Sequence, residues 1–266
     1  MLLLKLLLIA CTVYLSSLAA KRGGHGLAGL VTGMPMIIGP ILGLVLMDHG
    51  PGVTQKIAWA TITCFPATPL HALVFSHAAR RCSWPVCLML ATLVFLFAAS
   101  FLSWLALPPG WAAGLALVSP SLALACMPQT SLHTSGPPGQ DSKGLGTAIA
   151  VQIPASEVFY RIAAAVAMAA AILLGADYFP VFVSGLLLAI PIAGAVLPSF
   201  TLPRYGHVAT VNLLKGFARG LNGFCVFCIV LALLLNVVDP VASFVLALCA
   251  AAAAAWLFKR RAQTRQ

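Results

Sequence analysis

Apolar runs as long as a bilayer is thick, following one another with short connections, leave this chain few folds to choose from. Nine such runs can be marked, at 2–20, 25–47, 54–79, 84–107, 111–128, 157–176, 179–202, 210–236 and 240–258. A helix of ~20 apolar residues matches the hydrocarbon thickness of a membrane. A soluble fold needs a charged surface, and here only 8% of the 266 residues are charged against 61% apolar, where soluble domains carry roughly 25% charged residues. The pattern therefore predicts an all-α polytopic membrane helix bundle of about nine transmembrane helices, and it excludes a soluble enzyme. The formal charge of +10 does not point to nucleic acid, because the basic residues sit between apolar runs, where membrane topology accounts for them.

Charge then orients the bundle. The connections after the first, third, fifth, seventh and ninth runs hold Lys21, Arg22, Arg80, Arg81, Lys143, Arg204, Lys259, Arg260, Arg261 and Arg265. The connections on the other side hold Asp48, Asp177 and Asp239 and no Lys or Arg. Basic loops stay in the cytoplasm, so the N-terminus is expected outside and the C-terminus inside. The first run ends in Ser17-Leu18-Ala19-Ala20, which resembles a signal peptide. With only Lys5 before its apolar core, and with a counterpart later in the chain, a retained helix is the preferred reading. The connection at about 129–156 is rich in Gly, Pro and Ser and reads as a loop. Of the eight cysteines only Cys82 falls in a connection; Cys225 and Cys228, spaced as a redox or zinc half-site, lie within a run and read as packing.

An offset of 156 residues brings similar features together. Gly29-Leu30 meets Gly185-Leu186, Pro35 meets Pro191, Gly50 meets Gly206 and Lys5 meets Arg161. With a small gap, Lys56 and Phe65 meet Lys215 and Phe224. The division that follows is a first four-helix repeat at 1–110, a linker helix and cytoplasmic loop at 111–156, and a second repeat at 157–266. An odd linker span turns the second copy over, giving a 4+1+4 inverted repeat, an arrangement that secondary transporters use.

Two groups of residues are candidates for chemistry. The first is the proline pair with its surroundings, Met34-Pro35-Met36 through Gly39-Pro40 and Ile190-Pro191-Ile192. Proline removes an N–H and clashes with the preceding turn, and matched breaks in two halves point to discontinuous helices around a substrate site. A plain kink explains the same residues. The second group is positive charge inside runs: Lys5, Lys56, Arg161, Lys215 and Arg219, with Glu157 one turn from Arg161. Lys215 and Arg219 share a helix face. Buried cations line wet cavities or meet anions, whereas long basic side chains near a run's end reach the interface. Glu157 with Arg161 reads as a structural pair at the cytoplasmic edge. His71, within the third run, is a candidate proton relay or a histidine bonded to a neighbouring backbone; Asn222 and Gln152 read as polar glue between helices. No metal, nucleotide or acid–base catalytic motif is present, so no cofactor is expected.

The stretch Gly26-Leu27-Ala28-Gly29-Leu30 through Pro35 to Gly50, followed by a helix with Lys56, resembles small bacterial inner-membrane proteins of the GlpM-like type. Gly185 through Pro191 to Gly206 with Lys215 is similar, and Glu157 and Arg161 match the acidic residue and arginine that open the second copy in uncharacterised bacterial membrane proteins with a duplicated unit. Gly39-Pro40 has no match in the second copy, where Ala195-Val196 stands. The resemblance implies a bacterial inner membrane. Together these features raise the expectation of a non-enzymatic transporter or flippase for a small or lipid-linked anion. Its site would draw on Lys215, Arg219, Arg161, Pro35, Gly39, Pro191 and His71, and its partners would be the bilayer and an anionic small molecule or lipid phosphate. The alternative is a non-transporting accessory subunit of an envelope or polysaccharide assembly.

Overall fold

A computed structural model describes residues 2–36, 38–129, 154–176 and 189–263. Lys143, Gln152, Asp177, Gly185 and Arg265 lie outside the described residues. The architecture is all-α. In chain order the helices are α1 (Leu2–Gly33), α2 (Ile38–Cys64), α3 (Ala67–Ala78), α4 (Trp84–Trp104), α5 (Pro109–Cys126), α6 (Ala155–Ala176), α7 (Ile192–Leu234) and α8 (Pro240–Gln263). Among the described residues, Ala10–Ala78, Trp84–Trp104, Pro109–Cys126 and Ile192–Leu234 are long and apolar enough to cross a membrane.

Glycine breaks the longest of these stretches. At 43 residues, α7 would reach roughly 65 Å if straight, about twice the thickness of bilayer hydrocarbon. It changes direction at Gly206, at φ 76° and ψ 180°. α2 does the same at Gly50, at φ 76° and ψ 178°. Only glycine occupies this region without strain. Each break is followed four residues on by a threonine whose hydroxyl donates back to it: Thr54 Oγ1 to the Gly50 carbonyl at 2.9 Å and Thr210 Oγ1 to the Gly206 carbonyl at 2.9 Å. α1 is interrupted likewise at Gly23 and Gly24, so the first two expected runs are joined by a sharp turn. The third expected run, 54–79, is not one helix. It breaks at Phe65–Pro66 between α2 and α3, where Pro66 lacks the N–H that an unbroken ladder requires.

The second arm of α7, after Gly206, is the centre of the molecule. Leu214, Ala218, Leu221, Phe227 and Leu231 are buried in its largest apolar cluster. Cys225 and Cys228 are free thiols buried in the same cluster, packed as small apolar groups. The end of α1 crosses this arm backbone to backbone. A Cβ built on Gly29 would stand 1.9 Å from the Leu213 carbonyl oxygen, and one on Gly216 would stand 2.0 Å from the Gly26 oxygen. Gly33 and Gly220 make the same kind of approach further along, at 2.2 Å from the Phe217 oxygen and 2.3 Å from the Leu30 oxygen. Numbers rise together on the two helices, so they run parallel. Small residues permit such close helix contacts, which supply much of the attraction between helices in lipid. Phe65 stacks on Phe224 with ring centroids 5.3 Å apart.

Outward faces are apolar. On α4 and α5, Phe97, Trp104 and Trp111 are 76%, 78% and 76% exposed. Water would not tolerate so large an apolar surface; lipid would, which fits a membrane protein.

Candidate functional site

The chain makes the same turn twice. At Pro35 the Met36 N–H bonds the Met34 carbonyl at 2.8 Å, and the Gly39 N–H reaches the Pro35 carbonyl at 2.8 Å. At Pro191 the Ile192 N–H bonds the Ile190 carbonyl at 2.9 Å, and the Ala195 N–H reaches the Pro191 carbonyl at 2.7 Å. Every donor and acceptor of the second set lies 156 residues after its counterpart. The cause is local: proline has no N–H to continue a ladder, so a tight turn replaces it and a new helix starts.

The surroundings of the two turns differ. Beside Pro35 lies a cleft of about 880 Å³ between α1, α2 and α8. Thr12 and Leu15 on α1, Pro40 and Met47 on α2, and Phe244 and Leu248 on α8 line it, and among the described residues no charged side chain does. Its size is that of a ligand pocket. Glycine opens its wall at one place: a Cβ on Gly43 would come within 3.3 Å of the Phe244 ring, whereas one on Gly39 would meet Leu248 and Phe227 at ordinary van der Waals distance. At Pro191 the described neighbours pack against the turn. Ala189 and Ile190 pack with Cys64, Ala67, Phe95 and Ala99, and Thr68 Oγ1 donates to the Ala189 carbonyl at 2.8 Å. That carbonyl precedes the break, so a side-chain hydroxyl satisfies a backbone group at the helix end.

A polar cluster sits where α1, α6 and α7 turn. Glu157 and Arg161, on α6, are 4% and 1% exposed. Arg161 Nη2 donates to Glu157 Oε1 at 2.5 Å and to Thr201 Oγ1 at 3.4 Å. The other carboxylate oxygen, Oε2, receives Tyr205 Oη at 3.0 Å and lies 3.2 Å from Arg204 Nε. The Tyr205 ring lies 4.9 Å from His25. One carboxylate thus serves two guanidinium groups and a phenol, a charge-assisted arrangement stronger than neutral hydrogen bonds. Tyr205 stands at the turn beside Gly206; burial first, and then its bond to Glu157, raise its phenol above the usual range. Arg161 Nε and His25 Nδ1 are buried without a hydrogen-bond partner.

The residues singled out in the sequence separate into several places. Pro35 lines the cleft and Gly39 lies buried beside it. Pro191 is buried at its turn and Arg161 in the polar cluster. His71 is buried on α3, 6.4 Å from the Phe75 ring, with Nδ1 unpartnered. Lys215 is half-buried and Arg219 exposed on α7; neither lines the cleft. Arg204, Tyr205 and His25 complete the polar cluster but carry no local sequence signal, since they meet Glu157 across the fold. The hint available was their position beside Gly206 and Gly24. Among the described residues, no three His, Cys, Asp or Glu side chains gather as metal ligands.

The chain was compared with protein families, curated proteins and solved structures, and none of them matches it. Geometry therefore carries the functional reading.

Proposed function

We propose that the chain is a nine-span inner-membrane transporter or flippase for a lipid-linked anion, built as a 4+1+4 inverted repeat. The observation that carries this reading is the apolar cleft at the Pro35 break. A cleft of about 880 Å³ whose described lining is apolar suits an acyl or isoprenoid tail and not a hydrated ion, because burying an unpaired charge there would be costly. The anionic headgroup would lie outside the cleft, and Lys215 and Arg219 on α7 are the candidate positive charges for it.

Four features support the inverted repeat. The Pro35 and Pro191 turns share their hydrogen bonds, and the Gly50 and Gly206 breaks share their dihedral angles. Phe65 and Phe224, equivalent across the duplication, stack on each other, as residues beside a pseudo-two-fold axis would. Partners are exchanged: Pro35 faces α8 of the second copy, and the Pro191 turn faces α3 and α4 of the first. The charge-derived sidedness fits as well. His25, Glu157, Arg204 and Tyr205 meet at one end of α7's second arm. Gln55 and Asn236 bond at the other end, at 2.7 Å, roughly 40 Å away by helix rise. The parallel course of α1's end and α7's second arm also agrees with the expected orientation. A bacterial inner-membrane location, with the N-terminus outside, follows from the basic loops and the GlpM-like resemblance.

The test is translocation in proteoliposomes, using a fluorescent isoprenyl phosphate and a headgroup-quenching reagent. Protein-dependent loss of the protected half of the signal is expected, abolished by Gly43→Trp, which fills the cleft. No acceleration over empty liposomes would overturn the reading. A second reading, an accessory subunit of an envelope assembly, draws on α5, where Cβ atoms on Gly110 and Gly114 would meet nothing within 4 Å. Silent liposomes together with co-purification of a partner dependent on that face would favour it.

A further inference from the structure

The polar cluster holds more positive charge than its one carboxylate balances. Arg161 and Arg204 both turn to Glu157, and among the described residues no other carboxylate meets either of them. An arginine and a carboxylate commonly close through two parallel N–H bonds. Here Arg161 engages Glu157 through Nη2 alone, gives the same nitrogen to Thr201, and leaves Nε buried without an acceptor. The carboxylate's other oxygen is already shared by Tyr205 and Arg204. A guanidinium only 1% exposed with an unused N–H requires an acceptor from elsewhere, and a surplus of buried cation attracts an anion.

A third group stands beside these two. His25 lies against the Tyr205 ring, with Nδ1 buried and unpartnered. The fold of α1 holds it there. Ser16 Oγ lies 3.0 Å from the Ala28 carbonyl and 2.5 Å from Thr32 Oγ1, tying the arm before Gly24 to the arm after it. His25 is therefore at the apex of a hairpin. Packing of Val158 and Ile162 with Val196 and Leu197 fixes Arg161 from the other side. The start of α6, two residues before Glu157, adds the positive end of its dipole. Arg204 contacts Glu157 by Nε only, and its side chain is 51% exposed, so the cluster opens to the surface at Arg204.

We propose that this cluster is a phosphate seat. A phosphate group, carried by a lipid or free, accepts from Arg161 Nε, His25 Nδ1 and the outer N–H groups of Arg204. These donors come from α6, α1 and α7, and so from several directions. A tetrahedral phosphate has oxygens to meet them, whereas a carboxylate is planar. Guanidinium groups also match phosphate geometry. The seat is separate from Lys215, which is nine residues past Gly206 and roughly 14 Å further along α7 by helix rise. The inference deepens the flippase reading, and it rests on that reading for a lipid as the source of the phosphate.

The test uses the full-length protein in nanodiscs with phenylglyoxal, which modifies arginine, and reads Arg204 and Arg80 by peptide mass spectrometry. Two arms separate the sources. In discs of phosphatidylcholine alone, inorganic phosphate added at constant ionic strength protects Arg204 saturably, and acetate does not. In discs doped with phosphatidic acid, Arg204 is protected without added phosphate, whereas phosphatidylglycerol at equal surface charge leaves it reactive. Protection in either arm, with exposed Arg80 unaffected, supports the seat. His25→Phe, which keeps a ring against Tyr205, raises the half-saturating phosphate about tenfold, as losing one hydrogen bond to a charged group should. Arg80→Gln leaves it unchanged. Protection by neither phosphate nor phosphatidic acid, equal protection of Arg80, or unchanged half-saturation in folded His25→Phe would overturn the seat. Where His25→Phe does not fold, the wild-type protection profile decides. Protection in a protein that moves no lipid keeps the seat and ends the flippase reading; translocation without protection does the reverse.

Discussion

The turns at Pro35 and Pro191 share a backbone and differ in everything around it. Their hydrogen bonds agree pair by pair, because the missing proline N–H sets them locally. What lies beside them depends on distant residues. Phe95, Ala99 and Thr68 close on the second turn, whereas Gly43 leaves the first open toward α8. A duplicated turn is thus a scaffold, and small residues on one copy decide whether it carries a site.

The comparison can be broken most severely at the Glu157–Arg161 pair. Removing the carboxylate with Glu157→Ala leaves Arg161 buried without its counter-charge, and loss of about 3–5 kcal/mol is expected, read as unfolding in mixed micelles. The Pro35 half has no equivalent buried pair among its described side chains, so Asp48→Ala should change stability little. A smaller loss, about 1–3 kcal/mol, is expected for Gly216→Ala, since its Cβ would meet a backbone oxygen that cannot move aside. Gly114→Ala on α5, with open space around it, serves as the neutral control in the same unfolding series.

Thr68→Val sharpens the contrast between the turns. It leaves the Ala189 carbonyl without its donor and should cost about 1–2 kcal/mol, while Cys11 in the Pro35 cleft keeps its reactivity. If Cys11 labelling changes instead, the two turns are not independently supported. The smallest effect belongs to Gly43→Ala. Restored helix propensity, worth ~1 kcal/mol, is offset by displacement of the Phe244 ring into the cleft, so melting in detergent should move by less than about 0.5 kcal/mol.

Much of the fold was legible because lipid imposes simple rules. Run length and the near absence of charge give the all-helical apolar bundle, and Pro35 and Pro191 announce the helix breaks. The break at Pro66 is not legible in the sequence, because Pro198 and Pro203 show that prolines also stay within helices here. The candidate site was less legible. Glu157 and Arg161 are four residues apart and declare themselves as a pair, but Arg204 reaches the same carboxylate across 47 residues of chain and reads in the sequence only as a topological charge. The cleft has no polar signature at all: it arises where glycine and proline on α2 fail to fill the space facing α8, a property of packing and not of any motif.

Photo-cross-linking tests the central claim most directly. An isoprenyl phosphate with a diazirine in its tail is irradiated with the full-length protein in liposomes, and the adducts are mapped by mass spectrometry. Adducts concentrated at Met34–Met47 and on α8 from Val241 to Ala252, displaced by unlabelled isoprenyl phosphate, are the result this account predicts. Adducts spread evenly over the outward faces of α4 and α5, with no displacement, would contradict it.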